Sequence, residues 1–133
     1  MKIVLDANIF ISAFFWGGNP RKIVERVITG LDELFISKEI MIEIEDVIGR
    51  PKFHVEKDKI HYLINSIEEI GNKMIPKKHI KNGSRDSGDN KYIECGIAAS
   101  ADYIISGDIH LLELEKYGNI KIVTAKNFLT IVE

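Results

Sequence analysis

Apolar residues along this chain fall into two kinds of block that alternate. Ile3-Val4-Leu5, Leu34-Phe35-Ile36 and Tyr103-Ile104-Ile105 are short unbroken runs, the pattern of strands buried on both faces. Between them apolar residues recur at helical spacing: Ile23, Val24, Val27 and Ile28, then Ile40, Ile44, Val47 and Ile48, then Ile60, Leu63, Ile64, Ile67 and Ile70. Residues 8–15 predict a short apolar helix. After the Gly17-Gly18 break, Asn19 is expected to cap a second helix with Pro20 at its first position and Gly30 beyond its end. Ser37 caps a third helix, which Gly49-Arg50-Pro51 breaks, and residues 57–71 form a fourth. A short strand is expected at 74–76. The polar stretch 77–90, with Asn82-Gly83 and Ser87-Gly88, reads as a loop. Helices at 91–101, 109–116 and 125–132 (the last capped by Thr124) and a strand at 120–123 complete the pattern.

Short strands alternating with helices imply crossover units and a parallel sheet covered on both faces. The expected fold class is therefore α/β: a three-layer α/β/α domain whose central parallel sheet has four to five short strands. No repeat and no linker interrupts the pattern, so one domain is expected over residues 1–133.

Composition narrows the function. Lys+Arg number 18 against 20 Asp+Glu, a net charge of −2, which argues against a nucleic-acid binder held by counterion release from a basic surface. Cys95 is the single cysteine, so no intrachain disulfide forms, and a reducing cytoplasmic setting is expected. No apolar run approaches the ~18 residues of a membrane span. The start, Met1-Lys2-Ile3-Val4-Leu5-Asp6, meets an acid after three apolar residues, which is unlike a secretion signal.

Parallel sheets bind ligands beyond the carboxyl ends of their strands, where strand order reverses. Asp6-Ala7-Asn8 follows the first expected strand and Ser106-Gly107-Asp108 follows the run at 103–106. Asp86-Ser87-Gly88-Asp89-Asn90 opens a helix, and Glu43 sits near the apolar edge of another. Taken singly, Asp6 and Asp108 read as helix caps, Asp86 and Asp89 as loop or cap residues, and Glu43 as a solvated partner of Lys38. Convergence argues for more, because Asp6 and Asp108 end strands on the same sheet edge. Like charges 4 Å apart cost ~4 kcal/mol each pair at an effective dielectric of 20. Such a cluster becomes tolerable around a hard divalent cation, Mg²⁺ or Mn²⁺, which oxygen ligands select. A cation of this kind neutralises phosphate oxygens and favours phosphodiester hydrolysis. Two such ions would move the formal charge from −2 to about +2, removing the objection to a polyanionic substrate.

These pieces, in this order, resemble a PIN-domain ribonuclease. The resemblance runs from Lys2 to about Phe128. It rests on Val4-Leu5-Asp6-Ala7-Asn8, Trp16-Gly17-Gly18 with Pro20, Ser37-Lys38-Glu39 leading to Glu43-Ile44, and Arg50-Pro51-Lys52-Phe53. In the second half it rests on Arg85-Asp86-Ser87-Gly88-Asp89-Asn90-Lys91 and Ala101-Asp102-Tyr103-Ile104-Ile105-Ser106-Gly107-Asp108. The resemblance is strongest to toxin components of toxin–antitoxin modules. It implies metal-dependent endonucleolytic cleavage of RNA, leaving 5′-phosphate and 3′-hydroxyl ends. It puts Asp6, Glu43, Asp89 and Asp108 at the family's acidic positions, with Asp6, Asp89 and Asp108 holding Mg²⁺ or Mn²⁺. Asn8, Ser106, Asp86 and Asn90 fall at supporting positions, Asn8 as a brace for Asp6. A homodimer and a small protein antitoxin are the partners it implies. The chain departs from the family pattern at Ala7, where Thr is common, at Ser87-Gly88, where Pro-Asp is more usual, and at His110, where an extra Asp is frequent.

Arg50, Lys52, Arg85 and Lys91 lie near the motif loops and are candidate phosphate contacts, as are Arg21 and Lys22. Trp16 is expected to pack against the neighbouring helix rather than serve as a base-stacking platform. The four histidines show no ligand spacing. The alternative to an enzyme is a catalytically degenerate module of the same fold that binds RNA or protein. A phosphoacceptor receiver domain is disfavoured because the expected second strand ends in Ser37 and no strand–Asp junction lies mid-chain. A haloacid-dehalogenase phosphatase is disfavoured because Asn8 stands where a second Asp is needed.

Overall fold

A computed structural model of the chain describes residues 1–81, 83–84 and 87–133. Its six-stranded sheet has the order β3-β2-β1-β4-β6-β5. The strands are β1 (Lys2–Leu5), β2 (Glu33–Ser37), β3 (Gly71–Met74), β4 (Tyr103–Ile105), β5 (Lys116–Tyr117) and β6 (Ile120–Val123). The first four pairings, from β3 to β6, are parallel, and only β5 runs antiparallel. The helices are α1 (Ala7–Phe15), α2 (Gly18–Ile28), α3 (Lys38–Ile48), α4 (Lys57–Ile70), α5 (Asn90–Ala99), α6 (Ile109–Leu112) and α7 (Ala125–Val132).

Burial of consecutive residues shows that helices cover both sheet faces. Ile3, Val4 and Leu5, like Tyr103, Ile104 and Ile105, are all buried although they point alternately up and down. Helix α5 lies across β1, β2 and β4, whereas α2 packs on α1 and α7. One apolar core runs from Ile3 to Leu129. Among the described residues no helix is long and apolar enough to cross a membrane.

Three elements differ from the sequence expectation. The strand expected at 74–76 lies earlier, at Gly71–Met74. Pairing decides this: Asn72 donates from its side chain to the Leu34 carbonyl at 3.0 Å, and Gly71 faces Ile36 so closely that a Cβ would stand 2.9 Å from its Cδ1. Apolar Ile75 is 85% exposed. The helix expected over 109–116 stops at Leu112, and Lys116–Tyr117 instead turns back on β6, with Tyr117 opposite Ile120. Gly118-Asn119 between them is a two-residue hairpin signal, with Gly118 at φ 58°. Helix α2 is bounded at Gly18 rather than after Asn19; Gly17 and Gly18 take positive φ, 79° and 64°, and make the turn out of α1 that leads into it.

A buried ion pair locks the left half of the sheet. Asp32, 3% exposed, accepts from Arg26 Nε at 2.7 Å and from the N-terminal ammonium at 3.3 Å. It thereby ties the end of α2 to the starts of β1 and β2. Asp32→Ala removes the acceptor of both partly exposed cations, and a loss of about 1–3 kcal/mol in unfolding free energy is expected, read as a lower urea midpoint at unchanged slope.

Candidate functional site

Strand order reverses between β1 and β4, since β2 and β3 lie on one side of β1 and β4, β6 and β5 on the other. Leu5 stands opposite Ile105 in the parallel register, and the Asp6 amide continues the ladder to the Ile105 carbonyl at 3.0 Å. Asp6 and Ser106 are therefore neighbours at the carboxyl edge. The Ser106 hydroxyl donates to Asp6 Oδ2 at 2.6 Å and accepts from the Asp108 amide at 2.9 Å. One buried hydroxyl thus holds the two strand-end acids in fixed relation.

Asp6 and Asp108 also cap helices. Asp6 Oδ1 accepts from the Asn8 amide at 3.1 Å at the start of α1, and Asp108 Oδ1 accepts from the His110 amide at 2.8 Å at the start of α6. Asn8 is exposed, and its brace to Asp6 comes from the main-chain N–H. Capping and site formation coexist, because each carboxylate uses one oxygen for its cap. Ser37 caps α3 by accepting from the Ile40 amide, so Glu43 comes at the second turn of that helix.

A cleft of about 270 Å³ opens at this edge, lined by Asp6, Asn8, Glu43, Asp46, Arg50, Asp89 and Asp108 among others. The acids arrive from β1, α3, the start of α5 and β4. Asp89, buried, has the Ser84 hydroxyl at 3.5 Å from Oδ2, and Asn90 Oδ1 accepts from the Ser84 amide at 3.0 Å. Asn90 thus supports the segment ahead of Asp89 from behind. Asp86 and Arg85 lie outside the described residues.

Two of the expected phosphate contacts are engaged elsewhere. Lys91 is ion-paired to Glu43 Oε2. Lys52 does not line the cleft; its ammonium lies 5.1 Å from the centre of the Phe53 ring. Glu43 pairs with Lys91 rather than Lys38. Arg50 does line the cleft, 3.6 Å from Asp46.

Sequence reading missed Tyr92 and Asp46. Tyr92 is fully buried; its hydroxyl donates to Glu43 Oε1 at 2.5 Å and accepts from the Ala7 amide at 3.1 Å. The phenol thus satisfies a free N–H at the start of α1 and fixes Glu43 at once. Burial, then the Asp6 charge and the Glu43 bond, drive its pKa far upward, so it is a permanent donor. Asp46 follows Glu43 by three residues on α3, a spacing that places both on one face.

The Asp6 carboxyl is held above its ordinary 3.8. Burial is the main cause, opposed by the bonds from Ser106 and Asn8 and reinforced by the charges of Glu43 and Asp108. Among the described residues no three Asp, Glu, His or Cys side chains stand close enough to ligate one ion together. The donor set nevertheless fits Mg²⁺ or Mn²⁺: it is all oxygen, and Mg²⁺ is bound by one or two carboxylates while keeping several waters.

The fold is that of a PIN domain. The PIN domain family model matches residues 2–110, and the chain belongs to that family. Two solved structures share the fold. One is VapBC2 from Rickettsia felis bound to a DNA fragment from its promoter, 13% identical over 92% of this chain and 97% of that one, with a TM-score of 0.62. The other is VapBC-1 from nontypeable Haemophilus influenzae, 17% identical over 95% of this chain and 99% of that one, with a TM-score of 0.61. No curated protein sequence matches the chain.

Two outcomes test this geometry. Tyr92→Phe removes one hydroxyl from a buried three-way junction, and a loss of about 1–3 kcal/mol is expected in chemical denaturation. For Asp6, the folded chain keeps a proton that the unfolded chain has released. Its contribution to stability is full below pH 3.8 and is lost as pH rises through the higher folded value. Without divalent cations, Asp6→Asn should therefore melt higher than the native chain at neutral pH, with the gap closing as pH falls toward 3.8.

Proposed function

We propose that this chain, as one domain over residues 1–133, is a divalent-metal-dependent endoribonuclease and the toxin of a toxin–antitoxin pair. The observation that carries the reading is the convergence of Asp6, Glu43, Asp89 and Asp108, from four separate segments, on one cleft at the switch point. Membership of the PIN domain family and a fold shared with two VapBC complexes support it. Those complexes pair their chains with partners, and a small protein antitoxin covering the cleft, together with a homodimer, belongs to the proposal. So does a cytoplasmic location.

In this reading Asp6, Asp89 and Asp108 hold Mg²⁺ or Mn²⁺, directly or through water. The ion supplies charge neutralisation at the scissile phosphate and makes water a better nucleophile. The chain's own residues do the rest. Ser106 holds the Asp6 carboxylate by one oxygen and the Asp108 main chain by its amide. Lys91 and Tyr92 hold the Glu43 carboxylate in place, so that it can accept a proton from the attacking water. Arg50 at the rim meets the RNA backbone. Asn8 and Asn90 act as scaffolding through the bonds described above, and Asp86 is assigned an auxiliary acidic role and Arg85 a phosphate contact.

Purified protein should cleave RNA with Mn²⁺ or Mg²⁺ and stop in excess chelator. Asp6→Asn, Asp89→Asn and Asp108→Asn should each lower cleavage roughly 100-fold or more, and Glu43→Gln by a similar order. Mn²⁺ should raise the melting temperature of the native chain but not that of an Asp6→Asn/Asp89→Asn double variant. Full cleavage by Asp6→Asn overturns the assignment, and Mn²⁺ binding without cleavage favours the binding module instead.

A further inference from the structure

Trp16 contradicts the expectation that it packs against a helix: it is 71% exposed. A single exposed apolar residue is ordinary, but the surroundings of this one are not. Phe15 and Phe53 stack with centroids 5.1 Å apart and planes within 1°, and the indole meets both edge-on, at 5.9 and 6.4 Å. The indole is thus held from behind by two rings while much of its surface stays open. The next two residues, Gly17 and Gly18, both take positive φ and bend the chain away directly after α1.

Cations flank the cluster. Lys52 sits over the Phe53 ring, and Arg50, two residues earlier, lines the acidic cleft. The short turn Pro51–Phe53 therefore joins the cleft to the aromatic cluster without a break. Along α1, Trp16 lies ten residues from Asp6, or roughly 15 Å of helix. That is a distance a few nucleotides of extended strand can span.

The geometry points to Trp16, backed by Phe15 and Phe53 and flanked by Lys52, as a stacking subsite for an unpaired base of a single-stranded RNA whose backbone crosses Arg50 into the acidic cleft. The inference rests on the ribonuclease reading and deepens it at one position: a subsite that grips a base a few nucleotides from the scissile phosphate. The flanking cations favour a polyanion here over a second copy of the chain or a protein partner. Every base has a π-face, so this grip tolerates any sequence.

Trp16 is the only tryptophan, so its emission reports on this subsite directly. An Asp89→Asn chain with Mn²⁺, titrated with a mixed-sequence single-stranded RNA, allows binding to be read without turnover. Saturable quenching of the indole is expected. Adding Trp16→Ala should weaken affinity roughly five-fold to 100-fold, with partial rescue by Trp16→Phe. Lys52→Ala should lower the salt slope of binding by about one. Circular dichroism of each variant controls for folding, and an exposed position should not disturb it. RNA binding without quenching, or affinity within two-fold after Trp16→Ala, overturns the subsite. If the native chain still cleaves RNA in that case, the ribonuclease reading stands and only this inference fails. If the native chain neither binds nor cleaves RNA, both fail. An emission shift that follows protein concentration alone overturns the subsite in favour of a contact between copies.

Discussion

The parallel pairing of β1 with β4 is the constraint on which the site depends. With Leu5 opposite Ile105, the next residues are Asp6 and Ser106, and the hydroxyl-to-carboxylate bond at 2.6 Å follows from the register. A slip of one residue would turn every strand side chain to the opposite covered face, where it would meet packing shaped for its neighbour. The core therefore enforces the register, and the register places the acids. Ser106 then extends that precision to Asp108 through the Asp108 amide.

The electrostatics of the cleft are uneven. Glu43 has compensation within the chain, from Lys91 and from a phenol that stays protonated. Among the described residues the Asp6 carboxyl is held by hydrogen bonds from Asn8 and Ser106, and burial first, then the Glu43 and Asp108 charges, disfavours its ionised form. An arrangement of this kind fits a site that relaxes when a cation arrives.

Tyr92 shows how the apolar and polar parts are joined. It is among the largest fully buried side chains, yet its hydroxyl links α1, α3 and α5 at the cleft. Buried phenols usually find a partner for the O–H, and here the partners are the backbone of the residue after Asp6 and the carboxylate of Glu43. The packing of α5 on the sheet thereby sets the position of an acid on another helix.

Strand runs, helix periods and most boundaries were legible in the chain, because burial on both faces and capping leave local signatures: Ser37, Thr124 and the runs at 3–5 and 103–105. The four candidate acids were legible for the same reason, since strand ends and helix starts are local features. That Asp6 and Asp108 share a sheet edge was legible as well, and the resemblance added Glu43 and Asp89 to them; the Lys91 and Tyr92 bonds to Glu43, 48 and 49 residues away, were not legible. Edge strand β3 was expected at 74–76 and lies at Gly71–Met74 because pairing with β2, not its own composition, makes those residues a strand. The exposure of Trp16 escaped notice because an aromatic residue in an apolar run reads as core, and only the placement of Phe53 beside it leaves the indole outside. Sequence alone thus determined which residues carry local preferences and charge. Tertiary structure decided which of them share a cleft, because contacts between distant segments come from the packing of the sheet and its helices, which no local pattern encodes.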